Sequence, residues 1–292
     1  MGGWNWIDKT GMRWGKLVAV KYLGNKKWLC HCDCGNDTIV DSDHLKMDRS
    51  KRSVESCGCG RMSRLTQNHD YFSNIDTEVK AYIVGFLASD GTIESNKEKS
   101  TYTIKIVVNR KDRKLLEDIK EDIKTSANVK DFSAKTKLPQ GGYCESDFSS
   151  LSMHNKKMVE DLESIGVTSN KSLTLNIDYS KIPDDLKRHF WRGWVDGDGS
   201  FGIYGKRKIL SLTVTSSLAM CESTKSEILK IFPDMKIHIY QAIKCNEHTK
   251  RFIITSQDDV FKFLEYIYSD SNIYLERKYN NFLKIKEEYK NN

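Results

Sequence analysis

The chain has 292 residues, 38% hydrophobic and 30% charged, enough for two domains and a sizeable core, which excludes a disordered protein. No apolar run approaches the roughly 18–20 residues of a membrane helix, and the opening Met1-Gly2-Gly3-Trp4 lacks the apolar stretch of a secretory signal, so an intracellular, cytoplasmic protein with no membrane partner is expected. A formal net charge of +7 is compatible with a nucleic-acid partner without demanding one.

Residues 1–65 read as a small unit of short strands, with Leu17-Val18-Ala19-Val20 and the turn signals Gly24-Asn25 and Gly35-Asn36. It holds five of the eight cysteines, Cys30, Cys32, Cys34, Cys57 and Cys59. Cys32-Asp33-Cys34-Gly35 and Cys57-Gly58-Cys59-Gly60 are matching corners with 22 residues between them. Together they offer the four thiolates of a tetrahedral structural Zn²⁺ site, with Cys30 as an alternative ligand and His31 and His44 as outside ones. Unligated, reduced cysteines are the competing reading. The basic run Lys46, Arg49, Lys51, Arg52, Arg61 and Arg64 meets only Asp48 and Glu55, and is either a solvated face or a grip on phosphates. The polar stretch at 66–75 reads as a linker.

From about residue 76 an α+β pattern runs twice. In the first pass a helix over 76–89 leads to a strand through Tyr102, Ile104, Ile106 and Val108, then a helix through Leu115, Leu116, Ile119 and Ile123. Strands near 129–137 and 143–153 follow, and a helix through Met158, Leu162 and Ile165 is capped by Gly166. The second pass has a helix through Phe190, Trp191 and Trp194, strands near 199–205 and 208–215, a helix at Ile228, strands near 235–241 and 250–256, and helices at 258–268 and 274–288. The expected domains are 1–65, a linker at 66–75, and halves at 76–172 and 173–292.

Each half opens on the same motif. Ile83-Val84-Gly85-Phe86-Leu87-Ala88-Ser89-Asp90-Gly91 aligns with Trp191-Arg192-Gly193-Trp194-Val195-Asp196-Gly197-Asp198-Gly199. Gly inside a helix costs about 0.5–1 kcal/mol relative to Ala, so the small-residue stripes Ala81/Gly85/Ser89 and Gly193/Gly197 imply two helices packed backbone to backbone. Gly91 and Gly199 are expected to be left-handed helix caps. Asp90 and Asp198 are anomalous, because a carboxylate at a helix C-terminus meets the negative end of the macrodipole. The same local rule broken at two matching places marks a functional pair, and paired carboxylates suit a hard cation such as Mg²⁺.

These motifs resemble those of the LAGLIDADG homing endonucleases in their single-chain, two-motif form, over about residues 76–290. The second copy fits well, with Ser200-Phe201 after it; the first departs at Ala88 and Ser89 but keeps its terminal acid. The resemblance implies a monomeric, pseudo-twofold αββαββα core that binds double-stranded DNA. It implies metal-dependent hydrolysis of both strands with a short 3′ stagger, in a bacterial or phage-infected cell. Asp90 and Asp198, with Gly91 and Gly199 beside them, would hold the catalytic Mg²⁺, and Lys171 and Lys278 would be the basic residues of the two centres. Asn109 and Ser216 are weaker candidates for organising water. Each sheet would lie in the major groove, and the pool for contacts there is Tyr102, Lys105, Lys135, Lys137, Tyr204, Lys206, Arg207, Lys208, Tyr240 and Lys244. The cysteine unit resembles a small zinc module attached to phage-encoded DNA-binding proteins. The alternative on the same scaffold is an RNA maturase or a DNA-binding regulator without catalysis.

Overall fold

A computed structural model describes residues 7–33, 35–45, 53–58, 68–96, 100–137, 141–169, 171, 174–206, 208–241 and 249–290. The chain divides into two units, Met1–Thr66 and Gln67–Asn292.

The first unit is an antiparallel meander, β1 (Arg13–Trp14), β2 (Leu17–Gly24), β3 (Lys27–Cys32) and β4 (Asp37–Asp41), paired in that order. The turn between β2 and β3 runs through three left-handed residues, Gly24, Asn25 and Lys26, at φ 87°, 46° and 60°, as the Gly-Asn signal requires. Alternation along β3 points Trp28, Cys30 and Cys32 into a core with Trp14, Leu17, Ala19, Val40 and Leu45, and Cys57 packs against it. His31 faces the other way and bonds Asp37 at 2.7 Å.

The second unit is built twice. One half is α1 (Glu78–Ser89), β5 (Gly91–Asn96), β6 (Thr101–Asn109), α2 (Arg113–Ile123), β7 (Lys130–Lys137), β8 (Tyr143–His154) and α3 (Lys156–Ile165). The other is α4 (Lys187–Asp198), β9 (Gly199–Tyr204), β10 (Ile209–Ser217), α5 (Leu218–Ile231), β11 (Ile237–Gln241), β12 (Thr249–Ile254) and α6 (Gln257–Tyr268), followed by α7 (Glu276–Lys290). The sheets have the same order, β5-β6-β8-β7 and β9-β10-β12-β11, all antiparallel. The register repeats as well: Gly91 pairs with Ile106 and Gly199 with Val214. This is the duplicated α+β core that the sequence pattern implies.

Two helices join the halves. Every residue from Ala81 to Ala88 of α1 is buried, as expected of a helix with neighbours on all sides. A Cβ on Gly85 would lie 2.0 Å from the Phe190 carbonyl oxygen, and one on Gly193 would lie 2.1 Å from that of Tyr82. One turn further on, Gly197 meets the Ser89 hydroxyl. The helices therefore run in the same direction, backbone against backbone, and end side by side.

Three expectations need correction. Residues 68–75 are no linker: Tyr71, Phe72 and Ile75 are buried in the core of the second unit, where they have apolar surface to cover. Gly91 and Gly199 are not left-handed caps, since neither has positive φ and Gly199 is extended at φ −81°, ψ 149°. Each helix passes straight into a strand, and glycine is needed because a Cβ would lie 2.7 Å from the Leu87 oxygen or 2.5 Å from that of Val195. Strand β5 has no counterpart in the sequence pattern, because Ile93 is its only apolar side chain.

Candidate active site

The coincident ends of α1 and α4 carry Asp90 and Asp198. Both side chains open onto solvent, yet the protein packed behind them raises both pKa values by desolvation. Asp198 is pushed up to about 6, first by burial and then by the negative charge of Asp90. The two carboxylates thus repel each other, while Lys171 and Lys278 pull both pKa values down. The four groups that the sequence assigns to one site are brought together by the fold.

The lysines are not solvated surface residues, since Lys171 and Lys278 are 9% and 7% exposed. Lys171 Nζ donates to the carbonyl oxygens of Ser89 (3.0 Å) and Gly91 (2.5 Å). Lys278 Nζ donates to those of Val195 (2.6 Å), Asp196 (2.7 Å), Gly197 (3.3 Å) and Gly199 (2.6 Å). Each ammonium thereby bonds the carbonyls on either side of its own catalytic candidate. The lysines satisfy carbonyls that a helix end leaves without partners and set positive charge against the negative end of the macrodipole. Burial depresses both ammonium pKa values, that of Lys278 to about 8, although the neighbouring carboxylates oppose the shift.

Behind this centre lies a residue to which the sequence assigns no role. Asp196 is fully buried and accepts from Tyr82 Oη (2.8 Å), Tyr268 Oη (2.5 Å) and the Leu275 amide (2.7 Å). Leu275 immediately precedes α7, so Asp196 fixes the start of the helix that carries Lys278. The first motif has Ala88 at the matching position, and only comparison of the two copies could have signalled the difference. One turn before Asp196 in α4, Arg192, also fully buried, bonds Glu78 at the start of α1 (2.6 Å) and the carbonyls of Ile267 and Ile273.

The expected contact residues divide by face. Lys105, Tyr204 and Tyr240 lie on the sheet faces away from the helices, where they alternate with the core residues Ile104 and Ile106, Phe201, and Ile237. Tyr102 does not: it alternates in phase with Ile104, packs on the core, and sits under the Lys156 ammonium at 5.8 Å. Lys135 is in phase with Asp131, which pairs with Arg113 of α2, so it too lies on the helix side. Lys206 and Lys208 are exposed in the β9–β10 turn. Arg251, missed from sequence, lies on the open face between Thr215 and Tyr240 in register, and its buried Nε has no partner among the described residues.

Cys34, Cys59, Lys46, Arg49, Lys51, Arg52, Arg61, Arg64, Arg207, Lys244 and the side chain of Lys137 lie outside the described residues. Of the expected zinc ligands, Cys32 and Cys57 approach one core. Cys30 is buried beside them, with its thiol pKa pushed up by burial. Among the described residues no three His, Cys, Asp or Glu side chains form a metal cage, and no helix is long and apolar enough to cross a membrane.

No family model and no curated protein sequence matches the chain. Among solved structures it is similar to the homing endonuclease I-WcaI bound to its DNA recognition sequence, with a TM-score of 0.48 and 15% identity over 73% of this chain and 90% of that one. It is similar to the LAGLIDADG homing endonuclease I-GzeII in complex with its DNA target, with a TM-score of 0.44 and 16% identity over 71% and 88%. It is also similar to full-length DUF199/WhiA from Thermatoga maritima, with a TM-score of 0.44 and 16% identity over 76% and 65%. Identities this low transfer no function from those proteins to this chain.

Proposed function

We propose that the chain is a monomeric, metal-dependent endonuclease that makes a staggered break in double-stranded DNA at a long specific site. The observation that carries this is the pair Asp90 and Asp198, two solvent-facing carboxylates held against each other's charge where two packed helices end. Holding them there costs free energy, so the arrangement asks for a cation. The donors left for it are oxygens alone, the two carboxylates, because the expected Gly91 and Gly199 carbonyls are already taken by Lys171 and Lys278. Carboxylate oxygens fit Mg²⁺ rather than a soft metal. Such a cation supplies Lewis acidity at a phosphate.

The chain's own residues do the rest. Lys171 and Lys278 keep fixed positive charge behind the carboxylates, where charge develops on phosphate oxygens. The open sheet faces carry Lys105, Tyr204, Tyr240 and Arg251, side chains that bond base edges in a major groove, and the exposed turn lysines Lys206 and Lys208 meet phosphates. The cysteine unit is a Zn²⁺ module, ligated by Cys32, Cys34, Cys57 and Cys59, whose basic run lengthens the footprint on DNA.

The test is incubation of the full chain with a plasmid library of randomised sites and with DNA flanking its own coding sequence, in Mg²⁺ or in EDTA. Linear product with short 3′ overhangs is expected in Mg²⁺ only and is absent for Asp198→Asn. Specific binding with no cleavage under any divalent cation would overturn the enzyme and leave a maturase or regulator on this scaffold.

A further inference from the structure

Helix α7 brings a second cation to the first centre. Arg277 precedes Lys278, and its Nε donates to Oδ2 of Asp112 at 3.1 Å. Asp112 is buried and belongs to the first half, so a guanidinium from the second half crosses to the Asp90 side. The Arg277 side chain is 59% exposed, and its two terminal nitrogens have no partner among the described residues. A cavity of about 450 Å³ opens there, lined by Asp90, Asn109, Lys111 and Arg277 together with Phe86 and Phe148. Two carboxylates, Asp90 and Asp112, meet two cations, Lys111 and Arg277, in this lining. With Nε engaged by Asp112, the free edge of the guanidinium matches a pair of non-bridging phosphate oxygens. Arg277 also draws the Asp90 carboxyl toward its ionised form.

Arg277 also lines the cavity beside Gly199 and Ser200, with Lys278 and Lys284, but its bond to Asp112 ties it to the first half. Among the described residues no carboxylate lines that second cavity. In the register fixed by Gly91 with Ile106 and Gly199 with Val214, Lys111 and Asp112 correspond to Ala219 and Met220. The residue before Lys171 is Asn170, where the one before Lys278 is Arg277.

We propose that Arg277, held by Asp112 and joined by Lys111, grips the phosphodiester handled by Asp90, and that the Asp198 centre works without this grip. The inference rests on the endonuclease reading and sharpens it: the two strands are handled unequally, with one phosphate held before any metal arrives.

Two measurements on the full chain test it, using a duplex carrying a site selected from the randomised library. With each strand end-labelled, Arg277→Gln should slow cleavage of the strand that Asp90→Asn protects by roughly ten- to a hundredfold, and change the other strand by less than about threefold. Arg277→Lys, which keeps the charge but not the fork, and Asp112→Asn, which frees the fork, should both be intermediate. In EDTA, methylphosphonates placed one at a time across the central base pairs should include one that weakens binding by the parent protein and leaves Arg277→Gln unaffected. Equal slowing of both strands, or equal sensitivity of parent and variant to every methylphosphonate, would overturn the proposal. Sensitivity that depends on Arg277 in a protein that cuts neither strand would keep the grip and sink the endonuclease.

Discussion

The phenolic hydroxyl of Tyr82 donates to the Asp196 carboxylate at 2.8 Å, a hydrogen bond buried between the central helices of the two halves. Tyr268 and the Leu275 amide share that carboxylate, so one side chain links α1, α4, α6 and the start of α7. Asp196→Ala would leave three donors unsatisfied in the core, for a loss of about 2–4 kcal/mol by urea unfolding. It would also loosen α7, so cleavage should fall further than binding. A variant with the parent's urea midpoint would show that the link carries no stability.

Replacing Asp198 trades activity for stability. Its pKa of about 6 exceeds the ordinary 3.8, so the folded state holds this proton more tightly and stability falls as pH rises from about 4 to 6. Above pH 6 the cost is complete. Asp198→Asn should therefore be more stable than the parent at pH 7.5, by on the order of 1 kcal/mol once solvent screening is counted, and the gap should close near pH 4. Mg²⁺ should raise the melting temperature of the parent and not of the variant, which should bind DNA within about tenfold but not break it. Calorimetry showing the parent more stable at pH 7.5 would remove the repulsion from the site.

The lysines should differ in weight. Lys278 Nζ lies within bonding distance of four carbonyl oxygens, of which only Val195's also accepts the Gly199 amide, and Lys171 Nζ of two. Lys278→Met should therefore cost more stability than Lys171→Met, about 2–4 kcal/mol, and both should slow single-turnover cleavage more than they weaken binding. With its pKa at about 8 rather than 10.5, Lys278 loses its charge as pH passes 8, and cleavage should decline there. Its depressed pKa means the unfolded chain binds the extra proton between pH 8 and 10.5, so this group's contribution to stability rises with pH over that window. Equal losses for the two variants would show that the extra carbonyls do not matter.

Purified protein should contain one tightly bound Zn²⁺. Cys57→Ser should unfold the first unit while the second keeps its own melting transition, because a core of eight buried residues among those described leans on ligated thiolates. Removing residues 1–66 should weaken DNA binding and flatten its salt dependence, by about 0.9 in the logarithmic slope for each phosphate no longer neutralised. Metal-free protein with every cysteine of this unit open to alkylation would rule the site out.

The sequence carried the duplication, the paired helices and the acids, because each leaves a local trace: apolar periodicity, glycine inside a helix, a carboxylate at the wrong helix end. It misled where a local rule met a tertiary one. Gly91 and Gly199 looked like caps, but Lys171 and Lys278 from distant segments take over the capping and leave the chain free to enter a strand. Tyr102 shares the phase of Ile104, Ile106 and Val108 in the sequence itself, so the alternation alone places it on the core side, against its place in the pool of contact residues. Arg277 and Asp112 lie 165 residues apart, and nothing local to either announces the other.

The open face of one sheet presents Lys105 beside Ser152, that of the other Tyr240 beside Arg251 and Thr215. A protein assembled from two identical subunits is bound to read the same text forwards and backwards. If the proposed function holds, a duplex lying across both faces would meet two different vocabularies, so a palindrome would satisfy one half at the expense of the other. Because each half is spelled separately within one gene, either can drift toward a new word while its neighbour keeps the old one.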